Sequence, residues 1–472
     1  MLDTITPTDK LNYNTEEIAE LIEAQQHFFH QGFTKPYAFR KGQLNVLKAV
    51  IKRNEQAIIE ALRADLGKSP FEAYATEIGV IYEEINHAQK NLRMWMQPKR
   101  AATPFTLFPS SSKVYNDALG IVLIMSPWNY PVNLIMAPLI AAIAAGNTIL
   151  LKPSEQASAT EALITKLIND TYEPEYIAVI NGPGQLITTE LIEKYHLNHI
   201  FFTGSTAVGK KIMAAAAQQL SPVTLELGGK SPCIVASDAK LEYAAKKIAW
   251  SKWINAGQTC VAPDYVLVHE NIKEKFVEKL IAHTEKMFGK NPQQSADFPR
   301  IINDNRWQKL NSYLQEGHIV FGGQTDRSDK YISPTIIEKI SAESNLMKEE
   351  IFGPILPIIT FKSNEEVLEW INANPYPLAF YLFTESKTNE SFFLDKVRFG
   401  GGCINNGLVH LGNPNLPFGG VGFSGMGQYH GKAGFDTFTH KKSVLKSRSW
   451  FDLPVWYAPF KDKINLLKKL MK

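Results

Sequence analysis

Cysteine is scarce. The 472-residue chain has three, Cys233, Cys260 and Cys403, and no CxxC pair. An odd, sparse set argues against a disulfide framework and against a structural zinc site, and it fits a reducing cytoplasm. Metal-binding histidine patterns are missing too. His27/His30 and His196/His199 stand three apart, with no HExxH and no matching cysteines, so they read as ordinary helical or surface residues and no metal is expected. Net charge is small: 50 Lys and Arg against 47 Asp and Glu leave +3, which gives no global case for nucleic-acid binding. The opening MLDTITPTDKLNYN lacks a basic run followed by an apolar core, so no secretory leader is expected. One charge-free stretch, residues 131–151, approaches membrane-span length. Asn133, Pro138, Gly146 and Asn147 interrupt it, and it reads better as a buried helix, a turn and a strand.

What remains is a globular composition, 44% hydrophobic and 21% charged, on a chain too long for one core. Asn14 with Glu17 forms a plausible capping box ahead of Ile18, Leu21 and Ile22 at helical spacing. From 119 onward the pattern is strand, turn, helix, repeated. The apolar runs 120–125, 148–152, 177–181, 199–203 and 223–227 each end in a Gly, Pro, Asn or Ser cluster. That predicts a parallel sheet covered on both faces, with ligands bound outside the carboxyl ends of its strands. A second α/β segment follows Gly228, with a strand at 233–237 and a helix at 239–253. Residues 98–118 lose helical period and read as an extended arm.

Four places could carry chemistry. Cys260 lies in the small-residue loop NAGQTCVAP, with Asn255, Gln258 and Thr259 around it. A thiolate nucleophile needs such a polar setting; the alternative is an inert buried thiol, the reading given to Cys233 and Cys403. Glu226 closes an apolar strand just before Leu227 and Gly228. Burial there would raise its pKa and make it a usable general base; the alternative is pairing with Lys230. The run Gly204-Ser205-Thr206-Ala207-Val208-Gly209-Lys210-Lys211 nearly spells a phosphate-binding loop, but Lys211 stands where a Mg²⁺-binding Ser or Thr is needed. What survives is a strand, a glycine turn and a helix start, which suits a pyrophosphate; a plain tight turn is the alternative. Lys152 and Glu155, in LKPSE, either meet ribose hydroxyls or form a surface ion pair.

These residues fall in seven ordered motifs: PWNYP (127–131), KPSE (152–155), FTGSTAVGK (202–210), LELGGKSP (225–232), GQTC (257–260), EEIFGP (349–354) and PFGGVGFSGMG (417–427). In this the chain resembles the NAD(P)-dependent aldehyde dehydrogenases over nearly its whole length, and most closely their class-3 branch. The resemblance implies an aldehyde-dehydrogenase-like α/β fold: two doubly wound domains plus a small β-rich oligomerisation arm. It implies a dinucleotide-binding domain over 1–98 and 119–227, a catalytic domain over 228–428, a bridging segment over 99–118 and 429–450, and a tail over 451–472. Cys260 would be the nucleophile, Asn129 an oxyanion donor with the Cys260 N–H, and Glu226 the base that hydrolyses the thioester. The cofactor, NAD or also NADP, would meet Pro127, Trp128, Lys152, Glu155, Thr203, Gly204, Ser205, Val208, Leu227, Gly228, Glu350 and Phe352. Glu226 favours a free acid as product over an acyl-coenzyme A, and Glu155 would repel a 2′-phosphate. A non-catalytic scaffold of the same fold would require loss of Cys260, Asn129 or Glu226.

Tyr130, His410 and Phe418 are candidate walls of a pocket for an apolar or aromatic aldehyde, with Ala137 leaving room. A homodimer is expected by resemblance. Residues 441–472 hold nine Lys or Arg against two Asp. Within them, Ile464, Leu467, Leu470 and Met471 mark one side of a short basic helix. It would pack on a partner subunit or touch an anionic membrane weakly.

Overall fold

The computed structural model describes residues 11–461 and 463–471, with only the backbone at Leu470. The expectation about a leader rests mostly on residues 1–10, which lie outside that range.

The five apolar runs pair into one sheet. Its order is Gly425–Met426, Val223–Glu226, His199–Thr203, Ile121–Met125, Thr148–Lys152 and Ile177–Val179. All neighbours are parallel except Gly425–Met426, which returns antiparallel along Val223–Glu226. Burial on both faces explains the unbroken apolar runs. Val122 and Ile124 share a core with Ile135 and Leu139, whereas Ile121 and Leu123 share another with Ile18, Leu21 and Ile212. Asn14 caps the helix Thr15–His30 in the expected box with Glu17.

The charge-free stretch becomes the helix Asn133–Ala145, a turn and the strand Thr148–Lys152. No described helix is long and apolar enough to cross a membrane. Pro138 does not interrupt this helix but sits inside it. Packing holds the segment, since residues 135–145 are buried throughout, and that outweighs one missing backbone donor. Asn147 then locks the turn. Its Oδ1 accepts from the N–H groups of Leu119 and Gly120 (2.8 and 3.1 Å), and its Nδ2 donates to the carbonyls of Ala142 and Phe438 (3.2 and 3.0 Å).

A second sheet has the order His318–Phe321, Thr335–Glu338, Ile355–Phe361, Tyr265–His269, Pro232–Val235, Ala379–Phe383 and Gly401–Ile404. It is parallel except at the His318–Phe321 edge. The arm forms a third, antiparallel sheet, Lys99–Ala101, Ser111–Ala118 and Thr439–Lys446, whose last strand is exposed along nearly all its length. The tail carries the helix Ile464–Leu470, with Ile464 and Leu466 exposed.

His199 departs from its sequence reading. It lies inside a buried strand, with its Nε2 3.0 Å from the Thr224 hydroxyl, and burial pushes it down to about 4. The surrounding apolar run hid it: a neutral imidazole with one hydroxyl partner is compatible with a sheet interior. No metal-holding group of His, Cys, Asp or Glu occurs among the described residues.

The two large sheets meet where function was expected. The segments after Ile121–Met125 and Val223–Glu226 face the loop that leads, through Cys260, into the strand Tyr265–His269.

Candidate active site

The cysteine loop is built by backbone that few residues tolerate. After the helix Leu241–Trp253, Asn255, Ala256 and Gly257 all take positive φ, at 51°, 49° and 73°. Gly257 has no room for a Cβ, because the carbonyl of Gly353 occupies that space. Such strain persists only where surrounding bonds hold it, and here they do. The Asn255 N–H donates to Glu72 Oε1 (2.8 Å), Gln258 Nε2 donates to the carbonyls of Asn255 and Arg300, and Ile302 N–H donates to Gln258 Oε1.

Asn129 joins that loop to the first sheet. Its Nδ2 donates to the Gln258 carbonyl (3.0 Å), while its own carbonyl accepts from Asn255 Nδ2 (2.8 Å) and from Lys68 Nζ (3.1 Å). Lys68 is fully buried. It pairs with Glu77 (2.6 Å) and lies 4.0 Å above the Tyr130 ring, and Glu77 Oε2 takes the N–H groups of Val132 and Asn133. Tyr130 OH reaches Thr259 Oγ1 at 2.7 Å.

Cys260 and Glu226 line one cavity of about 1230 Å³, together with Tyr130, Thr203, Leu227, Phe418 and Tyr429. Both Glu226 carboxylate oxygens are buried without a hydrogen-bond partner. The pairing alternative fails, because Lys230 goes to Asp264 and to the carbonyls of Leu346 and Glu349. Burial pushes the Glu226 carboxyl well above the usual range. Burial first, then the nearby Glu350 and Glu226 carboxyls, push the Cys260 thiol up to about 12. The sequence reading expected an accessible polar setting for this thiol; the structure shows a partly buried one that lines the cavity. Cys233 is fully buried, as expected of an inert thiol.

Glu350 stands against Gly228, where no Cβ would fit, and takes the Gly229 N–H. Burial and Asp264 push it up to about 8. The Lys230–Asp264 pair braces this segment, with Asp264 Oδ1 accepting the Ile351 N–H. Phe352 adopts φ +52° and packs edge-on against Trp128, ring centroids 5.3 Å apart. Pro127 and Trp128 are half-buried in the same turn as Asn129. Gly204 leaves no space for a side chain beside Phe202, and Ser205 caps the helix Thr206–Gln218 by accepting from Val208 N–H. Ser205 and Val208 are exposed. Lys152 pairs with Glu155, yet Lys152 is buried, so this is no surface ion pair.

Two expected wall residues fall elsewhere. His410 stands behind Phe418, stacked on its ring, with Nδ1 3.6 Å from Cys403 Sγ. Ala137 is buried in the core. Conversely, Lys68, Glu72, Glu77 and Tyr429 escaped the sequence reading. Tyr429 lies two residues beyond the PFGGVGFSGMG motif, whereas the other three carry no motif.

Comparison with known proteins fits this geometry. A model described as the aldehyde dehydrogenase family matches residues 8–444. The 4,4'-diaponeurosporen-aldehyde dehydrogenase of Staphylococcus aureus is 46% identical, over 94% of this chain and 97% of that protein. A rat aldehyde dehydrogenase described as dimeric and NADP-preferring is 41% identical, over 91% of this chain and 94% of its own. A solved substrate-bound state of Staphylococcus aureus AldH superposes with a TM-score of 0.94 at 45% identity, covering 96% of this chain and 99% of that one.

The unpaired Glu226 makes a prediction about stability. Its folded pKa is raised, so above the unfolded value of about 4.3 the native state holds a proton the unfolded state has lost. Stability is therefore withdrawn as pH rises through that window. Glu226→Gln is expected to gain stability over the wild type progressively between about pH 5 and pH 8 in urea unfolding. A difference that stays constant across this range would contradict the burial of an uncompensated carboxyl.

Proposed function

Because the chain belongs to the aldehyde dehydrogenase family and is an NAD(P)-dependent oxidoreductase that turns aldehydes into carboxylic acids, we propose that Cys260, Asn129 and Glu226 carry its reaction. Cys260 gives up its thiol proton to water and its Sγ attacks the aldehyde carbon. The Asn129 amide and the Cys260 N–H donate to the oxygen that becomes negative. Loss of hydride from that carbon leaves a thioester on Cys260. Glu226 then takes a proton from the water that attacks the thioester, releasing the acid and restoring the thiol. The observation that carries this reading is that Cys260 and Glu226 line one cavity while Asn129 is bonded to the cysteine loop.

Residues at the carboxyl ends of the first sheet fit a dinucleotide. Ser126 and Thr203 offer buried hydroxyls without partners, and Gly204 and Gly228 let Phe202 and Glu350 pack close against the backbone there. NAD(P) bound there supplies the hydride acceptor. Gly204 and Ser205 would hold its pyrophosphate, Val208 its adenine, Lys152 and Glu155 its adenosine ribose, and Glu350 with Phe352 its nicotinamide ribose. Pro127, Trp128, Thr203, Leu227 and Gly228 complete the cleft. Glu155 leans the preference toward NAD over NADP.

The substrate is an apolar aldehyde. Phe71, Leu134, Trp250, Met287, Phe288 and Leu411 line the outer cavity, and one relative is named for 4,4'-diaponeurosporen-aldehyde. Burial of each CH₂ is worth about 0.8 kcal/mol, roughly fourfold. NAD(P)H formation at 340 nm with straight-chain aldehydes is therefore expected to rise in kcat/KM by up to roughly fourfold per CH₂. Cys260→Ser should abolish it, and Asn129→Ala should lower kcat by about 10²–10³-fold. Full turnover in Cys260→Ser would overturn the assignment.

The dinucleotide-binding, catalytic and bridging segments follow the boundaries expected from resemblance, and the protein works in the cytoplasm. Two copies pair through residues 99–118 and 429–450, where Phe105, Phe108, Val444 and Leu445 lie exposed. The tail packs on the partner. Sedimentation is expected to give a dimer that weakens when residues 461–472 are removed. A monomer would overturn the pairing, and a monomer that pellets with anionic vesicles only when it has its tail would favour membrane contact.

A further inference from the structure

Acidic side chains line the proposed substrate cavity at its mouth and along one wall. Glu83 and Asp297 line its exposed mouth, Glu72 its buried wall and Glu226 its inner end. Among the described residues, no Lys or Arg lines it. Lys68, which lies over the ring of the lining residue Tyr130, is committed to Glu77 and the Asn129 carbonyl. His430, the one imidazole in the lining, is held through its Nδ1 by Glu84 Oε1 (2.6 Å). The Glu72 side chain is fixed there by the Asn255 N–H, which donates to its Oε1, and its backbone by the Ser69 hydroxyl, which accepts its N–H.

We propose that this arrangement makes charge a specificity determinant: Glu72, assisted by Glu83 and Asp297, excludes aldehydes that carry a carboxylate and hastens departure of the carboxylate product. The inference rests on the reading of Cys260 and Glu226 as the reacting pair. A neutral aldehyde enters at no electrostatic cost. An ω-carboxylate brought into the same walls loses water and meets Glu83 and Asp297 at the mouth and Glu72 on the wall, which burial raises to about 7 and which therefore repels an anion above that pH, with no cation to repay the loss. The reaction itself converts a neutral substrate into an anion at the inner end of the cavity. The field that bars an anionic aldehyde therefore weakens binding of the acid once it forms, so the cavity rejects its own product.

The test compares hexanal with 6-oxohexanoate, equal in chain length, as a ratio of kcat/KM at low ionic strength. Taking the ratio cancels any general loss of activity in a variant. Wild type is expected to favour hexanal strongly. Glu72→Gln, which keeps an acceptor for Asn255, should raise the relative use of 6-oxohexanoate about tenfold. The Glu83→Gln/Asp297→Asn pair should raise it less, and hexanoate should inhibit both variants at lower concentration than wild type. Salt should narrow the wild-type preference through the exposed rim. An unchanged ratio and unchanged hexanoate inhibition in both variants, with hexanal turnover still lost in Cys260→Ser, would overturn charge selection alone. A wild type that oxidises neither aldehyde would overturn the site reading with it.

Discussion

One peptide carbonyl ties the site together. The Asn129 carbonyl receives a buried ammonium from Lys68 and an amide from Asn255, while the Asn129 side chain returns a bond to Gln258. The clamp joins the first sheet to the loop that presents Cys260 from the second. Its neutral bonds are worth about 1 kcal/mol each net, and the charged one about 1.5–3. Their larger effect is geometric. A nucleophile and its oxyanion donor on different elements stay in register only if something fixes one to the other, and small misplacements are costly in rate. The strained turn at 255–257 can persist because this clamp, Glu72 and the Arg300 carbonyl hold it from three sides.

The second constraint is dryness. Glu226, Glu350 and Cys260 are all pushed toward their neutral forms, and in each case burial is the first cause. Stabilising cations are close but engaged elsewhere: Lys230 with Asp264, Lys68 with Glu77. The protein thus keeps carboxyls near a thiol without neutralising them by ion pairs. That costs stability and raises the Glu226 pKa, so that its ionised form is a stronger base.

Much of this was legible in the chain. The apolar runs ending in small residues marked strands of the first sheet and the edge at which a ligand would sit, because burial on both faces leaves that signature. Cys260, Glu226 and Asn129 stood in motifs, and motifs are local. The brace was not local. Lys68 stands in the connection after the helix Glu55–Leu66 and Glu77 in the turn Tyr74–Ile78, and their function comes from contact with a segment some sixty residues on. His199 was misread because a neutral imidazole can hide inside a strand, and His410 because an aromatic near a glycine run can stand behind a wall as easily as on it.

The central claim is a covalent one. Glu226→Gln, given a long-chain aldehyde and oxidised cofactor and then denatured, can be weighed intact and digested. The account expects a gain equal to the aldehyde less two hydrogens, carried on the peptide that contains Cys260. An unmodified protein, or an acyl group on Cys233 or Cys403, would contradict it.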